Sequence, residues 1–229
     1  NTEFDVIKAI IFDMDGVIVD SEPLHKTVER EMFADFGMDV SVERQHAFTG
    51  TSNAIMWTQL KAEYNLPETV ELYVEIKEER YLKRLATDKT VQLIPGVESV
   101  LTCLEKEGIP LALASSSSLE NIKLVLDRFN LNRYFKSIAS GVEVPFSKPN
   151  PDVFLLAAKR LGVEACHCMV VEDSTNGVKA AKAAGMYCVG LKTDEDNRQD
   201  LSLADRVITS FVEFENVCFA DSFRSTSNQ

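Results

Sequence analysis

Apolar and polar positions along the chain fall into two regimes. Ile7 to Phe12 is a short, β-branched apolar run ending in a glycine-containing acidic turn, the pattern of a strand buried on both faces of a parallel sheet. After it, Leu24, Val28, Met32, Phe33 and Phe36 recur at helical spacing from Pro23 to about Phe36, and Gly37 supplies the stop. Two further helices are predicted over about Ser52–Tyr64 and Glu68–Leu85, with Pro67 in the first turn of the second. No strand is predicted between Asp20 and Thr90. From Pro95 the pattern alternates: helix Val97–Glu107, strand Pro110–Ala114, helix Leu119–Phe129, strand Ser137–Ser140, helix Asp152–Leu161. It continues as strand Cys168–Val171, helix Gly177–Ala184, strand Met186–Leu191 and a last short strand at Arg206–Ile208.

Strands alternating with helices predict an α/β fold, a doubly wound parallel sheet. Its core is discontinuous, residues 1–19 and 89–229, and is interrupted by an inserted all-helical cap domain over 20–88. The insertion leaves the core directly after the first strand, so the cap is expected over the carboxyl ends of the strands, where open α/β sheets bind ligands. Ser222 to Gln229 is polar and aperiodic and is expected to fray.

Charge narrows the partners. Lysine plus arginine number 24 against 36 aspartates and glutamates, a net charge of −12, which repels nucleic-acid backbones and anionic membrane surfaces. A small anionic substrate must therefore be held by local cations, a bound metal ion or backbone N–H groups. No apolar run approaches the ~20 residues of a membrane span, and Asn1 to Val6 has no basic or apolar leader character. The five cysteines are an odd number in a chain that needs no covalent staples, so free thiols and a cytoplasmic location are expected. Cys166, His167 and Cys168 lack the spacing of zinc ligands and lead into an apolar strand, so they read as structural filler. Nothing in the sequence demands an oligomer, and a monomer is expected.

Chemistry gathers at the predicted strand ends. The first strand delivers Phe12-Asp13-Met14-Asp15-Gly16, with two carboxylates two residues apart on an extended chain: one can be a nucleophile and the other a proton donor. Strand Cys168–Val171 ends in Glu172-Asp173-Ser174. Four carboxylates at one sheet edge repel one another by several kcal/mol and call for a cation, and hard oxygen donors with a phosphate partner point to Mg²⁺. Ser115 closes another strand, and Lys148 precedes Pro149, a position pushed towards extended geometry.

Together these residues resemble the haloacid dehalogenase-like superfamily, in the subgroup with a helical cap inserted between its first and second motifs. Asp13-x-Asp15-Gly16 resembles the first motif, Ser115 in ALASSSS the second, Lys148 in SKPNPD the third, and Glu172-Asp173-Ser174 with Gly177 the fourth. FDMDGVIVDSEPLH and VVEDSTNGVKAAKAAGM look most like sugar-phosphate phosphatases and the β-phosphoglucomutase group. The resemblance implies that Asp13 is the nucleophile, forming an aspartyl phosphate, and Asp15 the general acid and base. It implies Mg²⁺ on Asp13, the Asp15 carbonyl and Asp173, with Glu172 as a direct or outer ligand. It also implies phosphoryl binding by Ser115, Ser116 and Lys148, and a cap contact to substrate from His25, for which packing stays open; Glu22, just after the hinge, faces either substrate or solvent. Trp57 reads as cap core.

Asp15 argues against a dehalogenase, which needs no acid for a halide, and the segment Phe48-Thr49-Gly50-Thr51-Ser52-Asn53 lacks the lysine a phosphonate hydrolase would use. In β-phosphoglucomutase the matching cap segment carries a lysine and an arginine where this chain has Thr49 and Asn53. The expectation is a Mg²⁺-dependent phosphatase of small phosphorylated metabolites, hexose or deoxyhexose 6-phosphates, with a phosphosugar mutase as the alternative. A non-catalytic relative would have lost Asp13, Asp15 or Lys148, and all are present.

Overall fold

A computed structural model describes residues 6–48, 51–193 and 198–214. Thr49 and Gly50, the Asn1 start, Cys218 and the Ser222–Gln229 tail lie outside the described residues. The chain divides into two compact units, Asn1–Asp20 with Gln92–Gln229, and Ser21–Val91.

The first unit is built on six parallel strands: β1 (Ala9–Phe12), β2 (Leu111–Ser115), β3 (Ser137–Ser140), β4 (Cys168–Glu172), β5 (Tyr187–Leu191) and β6 (Arg206–Ile208). They lie in the order β3-β2-β1-β4-β5-β6, so the chain fills one half of the sheet and then reverses to fill the other. Ligands of open α/β sheets bind where the order reverses, at the carboxyl ends of the central strands. Here those strands are β1 and β4, whose register sets Phe12 beside Val171, so Asp13 and Glu172 emerge side by side.

Burial explains why these segments are strands. All four residues of β1 and all five of β2 and β4 are buried, as near-continuous apolar runs in a two-faced sheet require. One face is lined by small residues: Ala9, Ala112, Ala114, Ala139 and Cys168 share a core with Ala157, Ala158, Ala180 and Ala181 of the helices α7 (Asp152–Leu161) and α8 (Thr175–Ala183). On the alternate side-chain positions Phe12 meets Phe135 edge-on and Phe214 at a tilt, with ring centroids 6.3 and 6.2 Å away. The helices α5 (Val97–Lys106) and α6 (Leu119–Arg128) complete this unit.

The second unit holds α1 (Glu22–Asp35), α2 (Val42–His46), α3 (Asn53–Tyr64) and α4 (Val70–Leu85), and no strand among its described residues. Its core is aromatic: Trp57 is fully buried, stacked on Tyr73 at 5.2 Å and edge-on to Phe33 at 6.1 Å. Pro67 stands before the last helix and not in its first turn, because Thr69 is the N-cap, its side chain accepting from the Leu72 N–H. The short α2 has no sequence forecast; Ser41 starts it by accepting from the Arg44 N–H. Threaded through this apolar unit is a buried ion pair, Lys77 with Glu29, to which Gln45 Nε2 donates at 2.9 Å. No helix among the described residues is long and apolar enough to cross a membrane.

Candidate active site

At the carboxyl ends of β1 and β4, Asp13 and Glu172 meet on Lys148. Its ammonium donates to Asp13 Oδ1 at 2.8 Å and to Glu172 Oε1 at 2.7 Å, with all three side chains almost wholly buried. The lysine is carried by the loop after β3, in a turn closed by the Asn150 N–H to the Ser147 carbonyl at 3.0 Å. Asp13 is tied to its neighbouring strand through its own N–H, which donates to the Val171 carbonyl at 3.0 Å.

Carboxylate oxygens of Asp13, Glu172 and Asp173 all lie within 4.8 Å of one another. Burial, with the Glu172 charge adding to it and Lys148 opposing, lifts Asp13 from 3.8 to about 7. Asp173 is pushed well above its ordinary range by burial and then by Glu172 and Asp13. Burial alone would lower the Lys148 ammonium; Asp13 and Glu172 outweigh it and raise it. One lysine thus leaves this carboxylate cluster short of positive charge, and a hard divalent cation fits the oxygen donors it presents.

The two acids at the end of β4 are not equivalent. Glu172 is fully buried, and its Oε2 accepts from the Asp173 and Ser174 N–H groups, both at 2.9 Å, and from the Ser174 hydroxyl at 3.0 Å. Those donors belong to Asp173 and to Ser174, the N-cap of α8, so the turn that leads into the helix meets the charge with three hydrogen bonds. Gly177 makes the arrangement possible, since a Cβ there would sit 1.8 Å from the Glu172 carboxyl carbon. With Oε1 on Lys148, Glu172 is spent on protein partners, whereas Asp173 has no such set of donors among the described residues. Gly16 serves Asp173 in the same way: its φ of +78° and the 2.0 Å a Cβ would leave to Asp173 Oδ2 both demand glycine.

Asp15 takes a separate partner, accepting from Ser117 Oγ at 2.9 Å. Its carboxylate is not in the three-acid cluster, so of the four acids named from the sequence the structure groups Asp13, Glu172 and Asp173. Ser115 is buried at the end of β2, its Oγ accepting from the Ser117 N–H at 3.1 Å, which leaves its hydroxyl hydrogen to be donated. Ser116 is exposed, and Gly141 lets its backbone approach, with a Cβ there 3.0 Å from Ser116 Cα. Sequence reasoning missed Ser117 and Ser140; the Ser140 Oγ donates to the Ser117 carbonyl at 2.5 Å and so fixes the loop that presents Ser117 to Asp15. The run Ser115–Ser118 was the signal, since only Ser118 is used up as a helix cap.

Glu22 and His25 belong to the helical unit. Glu22 pairs with Lys26 at 3.6 Å on an exposed face, and the His25 ring stacks on Tyr81 at 4.0 Å and 2°. Asn53 accepts from Lys77 Nζ at 2.6 Å through its Oδ1, which ties it into the buried ion pair of that unit.

Comparison with known proteins finds relatives that match most of the chain. The family model described as haloacid dehalogenase-like hydrolase matches residues 10–191. Hexitol phosphatase B of Escherichia coli (strain K12) is 35% identical over 213 residues, covering 90% of this chain and 94% of its own. CbbY from Rhodobacter sphaeroides, solved in complex with phosphate, superposes with a TM-score of 0.81 at 30% identity, over 91% of this chain and 96% of that one. β-Phosphoglucomutase from Clostridium difficile gives a TM-score of 0.76 at 28% identity, over 92% and 95%. The chain belongs to the haloacid dehalogenase-like hydrolase family, and its enzyme class there is that of the phosphatases.

Proposed function

We propose that the enzyme hydrolyses small sugar phosphates, hexose or deoxyhexose 6-phosphates in particular, through an aspartyl phosphate on Asp13 and with Mg²⁺ as cofactor. The observation that carries this reading is the Lys148 ammonium shared between Asp13 and Glu172 at 2.8 and 2.7 Å, beside Ser115 and Asp15 at adjoining strand ends. That hexitol phosphatase B and phosphate-bound CbbY resemble the chain along most of its length supports a phosphorylated polyol or sugar as substrate.

In the first half-reaction an Asp13 carboxylate oxygen attacks phosphorus, the bond from phosphorus to the substrate oxygen breaks, and Asp15 gives its proton to the leaving alcohol. In the second, Asp15 takes a proton from water, which attacks the phosphorus of the aspartyl phosphate; inorganic phosphate leaves and Asp13 is restored. Ser117 orients the Asp15 carboxylate through Oδ2. Lys148 and the Ser115 hydroxyl hold phosphoryl oxygens and meet the charge that develops there. Asp13, the Asp15 carbonyl and Asp173 would hold Mg²⁺, with Glu172 orienting this set through Lys148 and α8; the ion would offset the phosphoryl charge and keep Asp13 ionised. Cys103, Cys166, Cys168 and Cys188 are free thiols, which supports a cytoplasmic setting.

Phosphate release from a panel of hexose 6-phosphates, hexose 1-phosphates, hexitol phosphates and phosphoglycolate, with Mg²⁺ and with EDTA, tests the reading. EDTA-sensitive release peaking on hexose 6-phosphates supports it. Conversion of β-glucose 1-phosphate to glucose 6-phosphate with a trace of the bisphosphate, and no net release, would establish the mutase alternative, for which the likeness to β-phosphoglucomutase speaks.

A further inference from the structure

A second group of metal-ligating side chains stands at the opposite end of β4 from the catalytic acids. Oxygen, sulfur and nitrogen atoms of Glu164, Cys166 and His167 all lie within 4.8 Å of one another. They sit on one 3₁₀ turn, Ala165–His167, which leads straight into β4. As β4 has five residues, the turn is about 16 Å from Glu172 at about 3.3 Å per residue.

The backbone of the turn and the His167 ring are held before any ion arrives. The His167 N–H donates to the Glu164 carbonyl at 3.0 Å, and the Lys8 N–H, entering β1, donates to the His167 carbonyl at 2.8 Å. The His167 ring is fixed through Nδ1, which lies 3.0 Å from the Val6 carbonyl. A carbonyl only accepts, so Nδ1 carries the hydrogen and Nε2 the lone pair, the orientation that metal-binding histidines take from a backbone carbonyl. Cys166 Sγ is 3.9 Å from Glu164 Oε2. Tetrahedral Zn²⁺, with Zn–S about 2.3 Å and Zn–O about 2.1 Å, sets that separation at about 3.6 Å, a closure of about 0.3 Å by two exposed side chains. Cys168 stays outside the set, buried, with its Sγ on the Glu164 carbonyl at 3.4 Å.

We propose that Glu164, Cys166 and His167 bind one borderline-soft divalent cation of the Zn²⁺ class, with water completing a tetrahedron. Thiolate and imidazole select such an ion over Mg²⁺, so this site and the oxygen cluster at Asp13 take different metals. The sequence pattern hid it because Glu164 is brought in by the turn, and Cys168, its apparent partner in the run, faces the core. Binding forms dative bonds from the Cys166 sulfur, His167 Nε2 and a Glu164 oxygen, and the thiol proton leaves to solvent.

The test uses the reduced, EDTA-treated full chain in excess Mg²⁺, titrated with Co²⁺ as a spectroscopic stand-in for Zn²⁺. The expected result is one equivalent of tetrahedral cobalt with a sulfur-to-metal charge-transfer band, displaced by Zn²⁺ and untouched by Mg²⁺. Cys166→Ser abolishes the band, His167→Ala and Glu164→Gln each weaken binding by about tenfold or more, and Cys103→Ser changes nothing. Phosphatase activity in Mg²⁺ is the same for wild type and Cys166→Ser. A band that survives Cys166→Ser, no band at all, or equal affinity in His167→Ala and Glu164→Gln, the signature of an adventitious ion on a single thiol, overturns the proposal.

Discussion

Replacing Asp13 by asparagine should abolish turnover and yet stabilise the metal-free protein. The folded state holds the Asp13 carboxyl at about 7 where 3.8 is ordinary, because burial and the Glu172 charge both disfavour its ionised form. Between those two values the folded chain binds more protons than the unfolded one, so stability falls as pH rises from about 4 to about 7 and stays low above. That gap corresponds to about 4 kcal/mol at about 1.4 kcal/mol per pH unit. It is a ceiling, since an asparagine amide must also find donors and acceptors in a pocket made for a carboxylate. Half of it, about 2 kcal/mol, raises the Tm of a chain of this size by about 4–8 °C. Lys148 is not orphaned by the change, since it keeps Glu172 at 2.7 Å. Calorimetry of wild type and Asp13→Asn in EDTA at about pH 8 and about pH 4 is the assay. The variant melts higher at the alkaline pH, and the difference shrinks in acid, where wild-type Asp13 is already neutral. A variant that melts at or below wild type in EDTA at the alkaline pH would refute the charge account of this site.

Asp15→Asn leaves Mg²⁺ affinity nearly unchanged, as its carboxylate lies outside the three-acid cluster, and lowers kcat by roughly 10²–10⁴ in steady-state phosphate release. Gly177→Ala drives a methyl into the Glu172 carboxylate, 1.8 Å away, and costs about 1–3 kcal/mol in denaturant unfolding, with turnover falling alongside. Lys77→Ala, in the helical unit, strands the buried Glu29 carboxylate and destabilises by about 3–5 kcal/mol, whereas Lys77→Met with Glu29→Leu restores most of the loss, both read by urea unfolding.

Reading by pattern works where the physics is local. Unbroken apolar runs that end in carboxylates, as at Phe12-Asp13 and Val171-Glu172, place β1 and β4 because a buried parallel strand permits little else. The same locality misplaces Pro67, because the Thr69 side chain decides where that helix begins. It also leaves the roles of Glu172 and Asp173 open. They separate only when the turn into α8 brings the Asp173 and Ser174 N–H groups onto Glu172, and Gly177, which leaves room for that carboxylate, is the trace of it in the sequence. Contacts between distant segments were illegible: Lys77 meets Glu29 across 48 positions, and Ser117 meets Asp15 across 102. Cys166 and His167 read as filler in the sequence because Glu164 joins them only through the turn.

The central claim, an aspartyl phosphate on Asp13, is tested most directly by trapping. The enzyme is quenched during turnover with its best sugar phosphate and reduced with borohydride, which converts an aspartyl phosphate to homoserine, and its peptides are analysed by mass spectrometry. The account predicts homoserine at Asp13 in the wild type and none in Asp13→Asn. Homoserine at Asp15 or Asp173, or undiminished turnover with no residue modified, would contradict it.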